Sequence, residues 1–131
     1  MNYLFDTDIL VDILRGEQSI ALKIRQIGII LGDISISTLT VFELMEGAYL
    51  SNSESELATT INIINGIRNI EINREIASEA GKISSLLKRK GRAIGVGDIL
   101  IGATAIAGNR TLVTRNIKHF SHIPNLKIIE W

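Results

Sequence analysis

Three carboxylates occupy the same kind of place along this chain. Asp6 ends the apolar run Tyr3-Leu4-Phe5, Glu43 follows the alternating stretch Ile34-Ser35-Ile36-Ser37, and Asp98 follows Gly95-Val96-Gly97. Each run reads as a strand or tight turn, and each acid lies at or just inside the helix that follows. If the strands run parallel, the three acids converge on one edge of the sheet, beyond the carboxyl ends of the strands, where open α/β sheets bind their ligands. Carboxylates forced together raise one another's pKa unless a cation neutralises them. Hard oxygen donors with no thiolate nearby select Mg²⁺ or Mn²⁺. Such a site lowers the pKa of a bound water, orients it and stabilises charge developing on a phosphate.

Each acid also has a plainer role. Asp6 and Asp98 suit helix N-caps, and Thr40-x-x-Glu43 has the spacing of a capping box. Three independent caps would not require this arrangement along the chain, and the conjunction favours a shared site.

The elements that must position the acids follow from periodicity. Strands are expected at 3–6, 34–37, 69–72, 111–114 and 127–129. Helices are expected at 9–15, from Ser19 with Ile20, Leu22, Ile24, Ile27 and Ile30 inward, and at 39–49, 56–67, 74–90 and 98–107. Gly47 is a weak point in its helix, and residues 117–122 form a turn or short helix. Strands alternating with helices argue for a parallel, helix-covered sheet. No repeat, linker or low-complexity tract interrupts the pattern, so residues 1–131 are expected to be one domain.

Composition narrows the function. The 131 residues are 46% hydrophobic, with 14 Lys and Arg against 14 Asp and Glu and no cysteine. A net charge of zero excludes a protein that grips nucleic acid by bulk charge, and leaves a local basic patch, a metal or an accessory chain for any such work. The absence of cysteine excludes disulfides and fits the cytoplasm. No apolar run approaches the roughly 20 residues that cross a bilayer, and no signal peptide is legible at the N-terminus. A mean hydropathy of +0.26 leads us to expect a buried oligomeric face.

Four blocks in order make the chain recognisable: Leu4-Phe5-Asp6-Thr7-Asp8-Ile9-Leu10, Ile36 to Ala48, Gly95 to Ala105, and Leu112-Val113-Thr114-Arg115-Asn116-Ile117-Lys118-His119-Phe120, closed by Ile129-Glu130-Trp131. It resembles PIN-domain ribonucleases, most closely the VapC toxins of toxin–antitoxin pairs. The resemblance implies a three-layer α/β/α sandwich with a mostly parallel central sheet. It implies Mg²⁺ or Mn²⁺ held by Asp6, Asp98 and Glu43, and hydrolysis of RNA, transfer or ribosomal, to 5′-phosphate and 3′-hydroxyl ends. Thr7 or Asp8 would support the first acid, and Thr114 and Asn116 would line the pocket. A VapB-type antitoxin would be the inhibitor, and the active form a homodimer. Many relatives carry a fourth acid where this chain has His119, which points to one tightly held metal, with a second arriving alongside substrate.

Other features keep two readings. The run Leu87-Lys88-Arg89-Lys90-Gly91-Arg92 either complements a helix dipole or contacts RNA phosphates, with Arg115 and Lys118 adding charge near the site. Phe42, Met45, Tyr49 and the face Leu57-Ile61-Ile64 belong either to the core or to a dimer and antitoxin surface. Trp131 reads as packing. The pair Asp6-x-Asp8 also suits a haloacid-dehalogenase phosphatase, but that class wants Thr or Val where Leu10 stands and a late second Asp where Gly102 stands. The non-enzyme alternative is a catalytically weak PIN fold that binds RNA or a partner.

Overall fold

Residues 2–131 are described by a computed structural model. Tyr3–Phe5 form β1, whose side chains alternate between two faces as a strand requires. Leu4 packs with the core on one side of the sheet, and Tyr3 and Phe5 with the core on the other. A strand buried on both faces reads as a continuous apolar run, the mark of a parallel sheet covered by helices.

The chain continues through α1 (Thr7–Leu14), α2 (Gln18–Gln26), β2 (Ile34–Ser37), α3 (Thr38–Leu50), α4 (Glu54–Gly66), β3 (Arg68–Ile70) and α5 (Arg74–Arg89). It then forms α6 (Val96–Ala107), β4 (Thr111–Thr114), α7 (Ile117–Phe120) and β5 (Ile128–Glu130). The five strands are ordered β3-β2-β1-β4-β5, and every pairing is parallel. One face is covered by α5 and α6 through Ile76, Ile83, Leu87, Ile99 and Ile101; the other by α1 to α3 through Ile9, Leu10, Ile20 and Leu44. The expected three-layer sandwich is therefore present, with a sheet that is wholly parallel.

The order matters for function. After β1 the chain steps to β2 and β3 on one side, and it returns to the other side of β1 as β4. Connections that leave β1 and β4 in opposite directions open a crevice at the strands' carboxyl ends.

Several local expectations are corrected. Glu17, not Ser19, stands at the N-cap of α2, and its side chain makes no capping bond. That helix ends at Gln26, a turn early. Gly28 then turns the chain with φ +71°, and Ile29 is buried, whereas Leu22, Ile27 and Ile30 stay exposed. In α3 the cap is Ser37, whose side chain accepts from the Leu39 amide. The Thr40 to Glu43 capping box therefore does not form, because both residues lie inside the helix. Gly47 sits in an unbroken stretch of the same helix. Gly95 caps α6, which places Asp98 in the first turn and not at the cap.

Two glycines set how closely α6 can approach its neighbours. A Cβ on Gly97 would lie 3.3 Å from Leu39 Cδ2, and one on Gly102 would lie 2.7 Å from Ile123 Cδ1. The first bare approach seats the start of α6 against α3, and so carries Asp98 toward the element that bears Glu43.

Candidate active site

Asp6 is fixed by both strands of the switch point. Its amide donates to Val113 O at 2.9 Å, which extends the β1–β4 ladder by one residue. Its side chain caps α1, with Oδ1 accepting from the Thr7 amide at 2.8 Å, and Oδ2 accepts from the Thr114 hydroxyl at 2.7 Å. The capping role and the site role are thus held by the same carboxylate. Only 4% of Asp6 is exposed. Burial, with smaller contributions from the charges of Asp8 and Asp98, pushes its pKa up to about 6 against the opposing hydrogen bonds of Thr114 and Thr7.

Glu43 is reached through Thr7. The Thr7 hydroxyl lies 2.7 Å from Glu43 Oε1 and 3.0 Å from Thr40 Oγ1. Its one hydrogen goes to the carboxylate, the stronger acceptor. Thr7 therefore supports two acids, Asp6 through its backbone and Glu43 through its side chain. Asp98 is held from another direction, by Nδ1 of His119 at 2.8 Å. His119 therefore contacts one of the three acids directly.

Asp8 grips the segment after β4. Its Oδ2 accepts from the Arg115 amide at 3.2 Å, and the Arg115 guanidinium lies 3.9 Å from the same oxygen and 3.3 Å from Asp12 Oδ2. Burial raises the Asp8 pKa. Its Oδ1 is buried and has no hydrogen-bond partner. Asn116 sits beside it and donates its amide to Thr114 Oγ1 at 3.0 Å. Lys118 is exposed on α7.

One open cleft of about 390 Å³ is lined by Asp6, Thr7, Asp8, Glu43, Asp98 and Asn116, together with Val11, Arg15 and Arg115. The three acids singled out in the sequence do meet at one rim. Among the described residues, no three acids or histidines stand close enough to enclose a metal. The acids are held instead by neighbouring polar groups: Asp6 by the Thr7 amide and the Thr114 hydroxyl, Glu43 by the Thr7 hydroxyl, Asp98 by His119. The donor set still suits a hard divalent cation. It is all oxygen, its charges raise the pKa of Asp6, and it holds an unpartnered buried oxygen on Asp8.

Asp12, Thr40, Arg15 and Val11 join the site without a sequence signal that singles them out for it. Asp8 and Asp12 are four residues apart, on one face of a helix, and that spacing is the available clue. Their shared partner, Arg115, lies too far along the chain to be paired with them by pattern.

The family model for the PIN domain matches residues 3–126. The chain belongs to the PIN-domain family. Among relatives of this PIN domain, Ribonuclease VapC2 of Rickettsia felis is 35% identical over 99 residues, 75% of this chain and 74% of its own. The tRNA(fMet)-specific endonuclease VapC of Salmonella typhimurium is 32% identical over 97 residues, 73% of this chain and 74% of its own. The crystal structure of VapBC2 from Rickettsia felis, bound to a DNA fragment from its promoter, contains a chain that superposes on this PIN domain with a TM-score of 0.87. It is 31% identical and covers 100% of this chain and 99% of its own. No helix among the described residues is long and apolar enough to cross a membrane.

Proposed function

We propose that this PIN domain is a divalent-metal-dependent endoribonuclease, the toxin of a type II toxin–antitoxin pair, cutting transfer or ribosomal RNA in the cytoplasm. The observation that carries the reading is the convergence of Asp6, Glu43 and Asp98, from three separate elements, on the switch-point cleft. Support comes from relatives of ribonuclease activity and from a solved toxin–antitoxin neighbour.

Asp6 and Asp98 would hold Mg²⁺ or Mn²⁺, with Glu43 beside them. A bound cation would supply a lowered water pKa and a counter-charge for the phosphate. The chain's own residues do the positioning. Thr114 and Thr7 fix the two oxygens of Asp6, His119 fixes one oxygen of Asp98, and the second oxygens of Asp98 and Glu43 remain for a ligand or a water proton. An antitoxin segment would enter the neighbouring groove of about 430 Å³ between α1, α3 and α4, which shares Val11, Arg15 and Glu43 with the cleft. Phe42 and Tyr49 are 58% and 66% exposed, which removes them from the core of a lone chain and suits a face shared by two copies.

The test is cleavage of purified RNA with Mn²⁺ or Mg²⁺, with EDTA, and with Asp98→Asn. Loss of cutting in EDTA and in the folded variant is expected; chelator-insensitive cutting would overturn the metal-dependent reading. That no three acids or histidines among the described residues stand close enough to enclose a metal favours one second reading, a PIN fold that binds RNA or a partner without cutting. Calorimetric titration separates them, because a binding module should take up Mn²⁺ weakly or not at all.

A further inference from the structure

The chain is neutral overall but its charge is divided along its length. Residues 80–131 carry nine of the 14 Lys and Arg and only two of the 14 Asp and Glu, namely Asp98 and Glu130. The first part of the chain is correspondingly acidic: it supplies Glu43 to the cleft, with Glu46 on the same helix α3 and Glu54 and Glu56 in the first turn of α4. A polyanion bound at the cleft is repelled on that side and attracted on the other.

The attracting side has a definite geometry. Lys88 and Arg89 occupy the last turn of α5, Lys90 caps it and Arg92 follows. All four are exposed, and none pairs with a carboxylate among the described residues. A helix dipole accounts for cations in the last turn, but not for Arg92, which turns away to donate from Nη1 to Nδ1 of His122 at 3.1 Å. Guanidinium is donor-only, so His122 accepts at that nitrogen. His122 follows α7 by two residues, and His119, within α7, contacts Asp98. One short segment therefore has a contact to the acid site and, three residues on, a contact to the basic run. Three residues span at most about 11 Å, within reach of a few nucleotides.

We propose that RNA leaves the cleft across α7 and is held by its phosphates at the C-terminal end of α5, with Lys88, Arg89, Lys90 and Arg92 as the contacts and His122 fixing Arg92. This track rests on the ribonuclease reading for its ligand, but it makes a separate claim about direction.

The experiment measures binding of a labelled single-stranded RNA by anisotropy across a salt series in EDTA, so that no cleavage interferes. Three proteins are compared: the unaltered chain, Lys88→Gln/Arg89→Gln/Lys90→Gln, and a control with Lys23→Gln/Arg25→Gln on α2. Removing one cation that touches a phosphate should flatten the slope of log K against log salt by about 0.7. The triple variant is expected to flatten by one to three such steps and the control by none. Arg92→Gln alone, which leaves the end of α5 untouched, should flatten by one. Circular dichroism and melting confirm folding. An unchanged slope in both test variants, or an equal flattening in the control, overturns the track. Cleavage by the unaltered chain with Mn²⁺ is scored separately. Intact cleavage with an unchanged slope sinks the track alone, while absent cleavage sinks the ribonuclease reading and leaves the slopes to decide whether the basic end binds RNA.

Discussion

The Thr114 hydroxyl donates to Asp6 Oδ2 at 2.7 Å across 108 positions of sequence, joining the ends of the two parallel strands between which the strand order reverses. The bond favours the charged form of a carboxylate that burial would otherwise neutralise. Thr114→Val removes the donor, and with it an acceptor for the Asn116 amide. We expect a stability loss of about 1–3 kcal/mol, and an acidic limb of the pH–rate profile that moves to higher pH. Thr114→Ser keeps the hydroxyl and should restore the profile. A valine variant with an unshifted limb would remove Thr114 from the site.

Asp6 makes the metal-free protein's stability depend on pH in a direction opposite to that of a salt-bridged acid. Its pKa is about 6 in the fold against the ordinary 3.8. Between these values the folded state holds the extra proton. Stability therefore falls as pH rises through that window, and the loss is complete above it. Asp6→Asn removes the charge and keeps both hydrogen-bonded neighbours, because Thr114 Oγ1 can accept as well as donate. The metal-free variant should be more stable than the parent by about 1–3 kcal/mol near neutral pH, and equal to it near pH 4. Saturating Mg²⁺ should reverse the order, since the cation stabilises only the parent. Urea denaturation at the two pH values, with and without metal, measures all three. A parent more stable than the variant at neutral pH without metal would contradict the sign.

Asp6, Glu43 and Asp98 are legible as a set because each follows a short run whose apolar or glycine content marks an element boundary. Their supporting partners are less so. Thr40 resembles a cap because Thr-x-x-Glu is a local pattern, but Ser37 competes for the same helix start and wins, and Thr40 is buried against Thr7 instead. The inward pattern from Ile20 to Ile30 fails past Gln26, because Gly28 redirects the chain and tertiary packing then selects Ile29. The bond between His119 and Asp98 depends on how α7 docks on α6, which no spacing within the chain encodes.

His119 and Asp98 offer a direct test of support from the side. The imidazole is 2.8 Å from Oδ2 of Asp98 and is itself exposed, so its removal should leave the core intact. Residues that orient a metal ligand typically contribute 10- to 100-fold in affinity or rate. His119→Ala should therefore weaken Mn²⁺ binding or cleavage by roughly that factor, with a melting temperature close to the parent's. His119→Gln, which retains a donor, should recover part of the loss. Calorimetry and initial rates provide the readout, and an alanine variant with parental affinity and rate would make His119 a bystander.

Arg115 reads from the sequence as an RNA contact, yet its guanidinium lies against two carboxylates of α1, 3.3 Å from Asp12 and 3.9 Å from Asp8. Those acids are one helical turn apart and repel each other unless a cation stands between them. Asp12 is 7% exposed, so it gains little from solvent once its partner is gone. Arg115→Ala should consequently destabilise the protein by about 1–3 kcal/mol, the cost of leaving a buried acceptor unpaired. Arg115 is half exposed, which keeps the figure below that of a fully buried pair. Arg115→Ala/Asp12→Asn should recover most of the loss, because the stranded charge is then absent. If Arg115 served RNA alone, the single variant would melt with the parent, and only the salt dependence of RNA binding would change. Chemical denaturation of the two variants, set beside their binding slopes, separates a clamp on the β4–α7 segment from a phosphate contact.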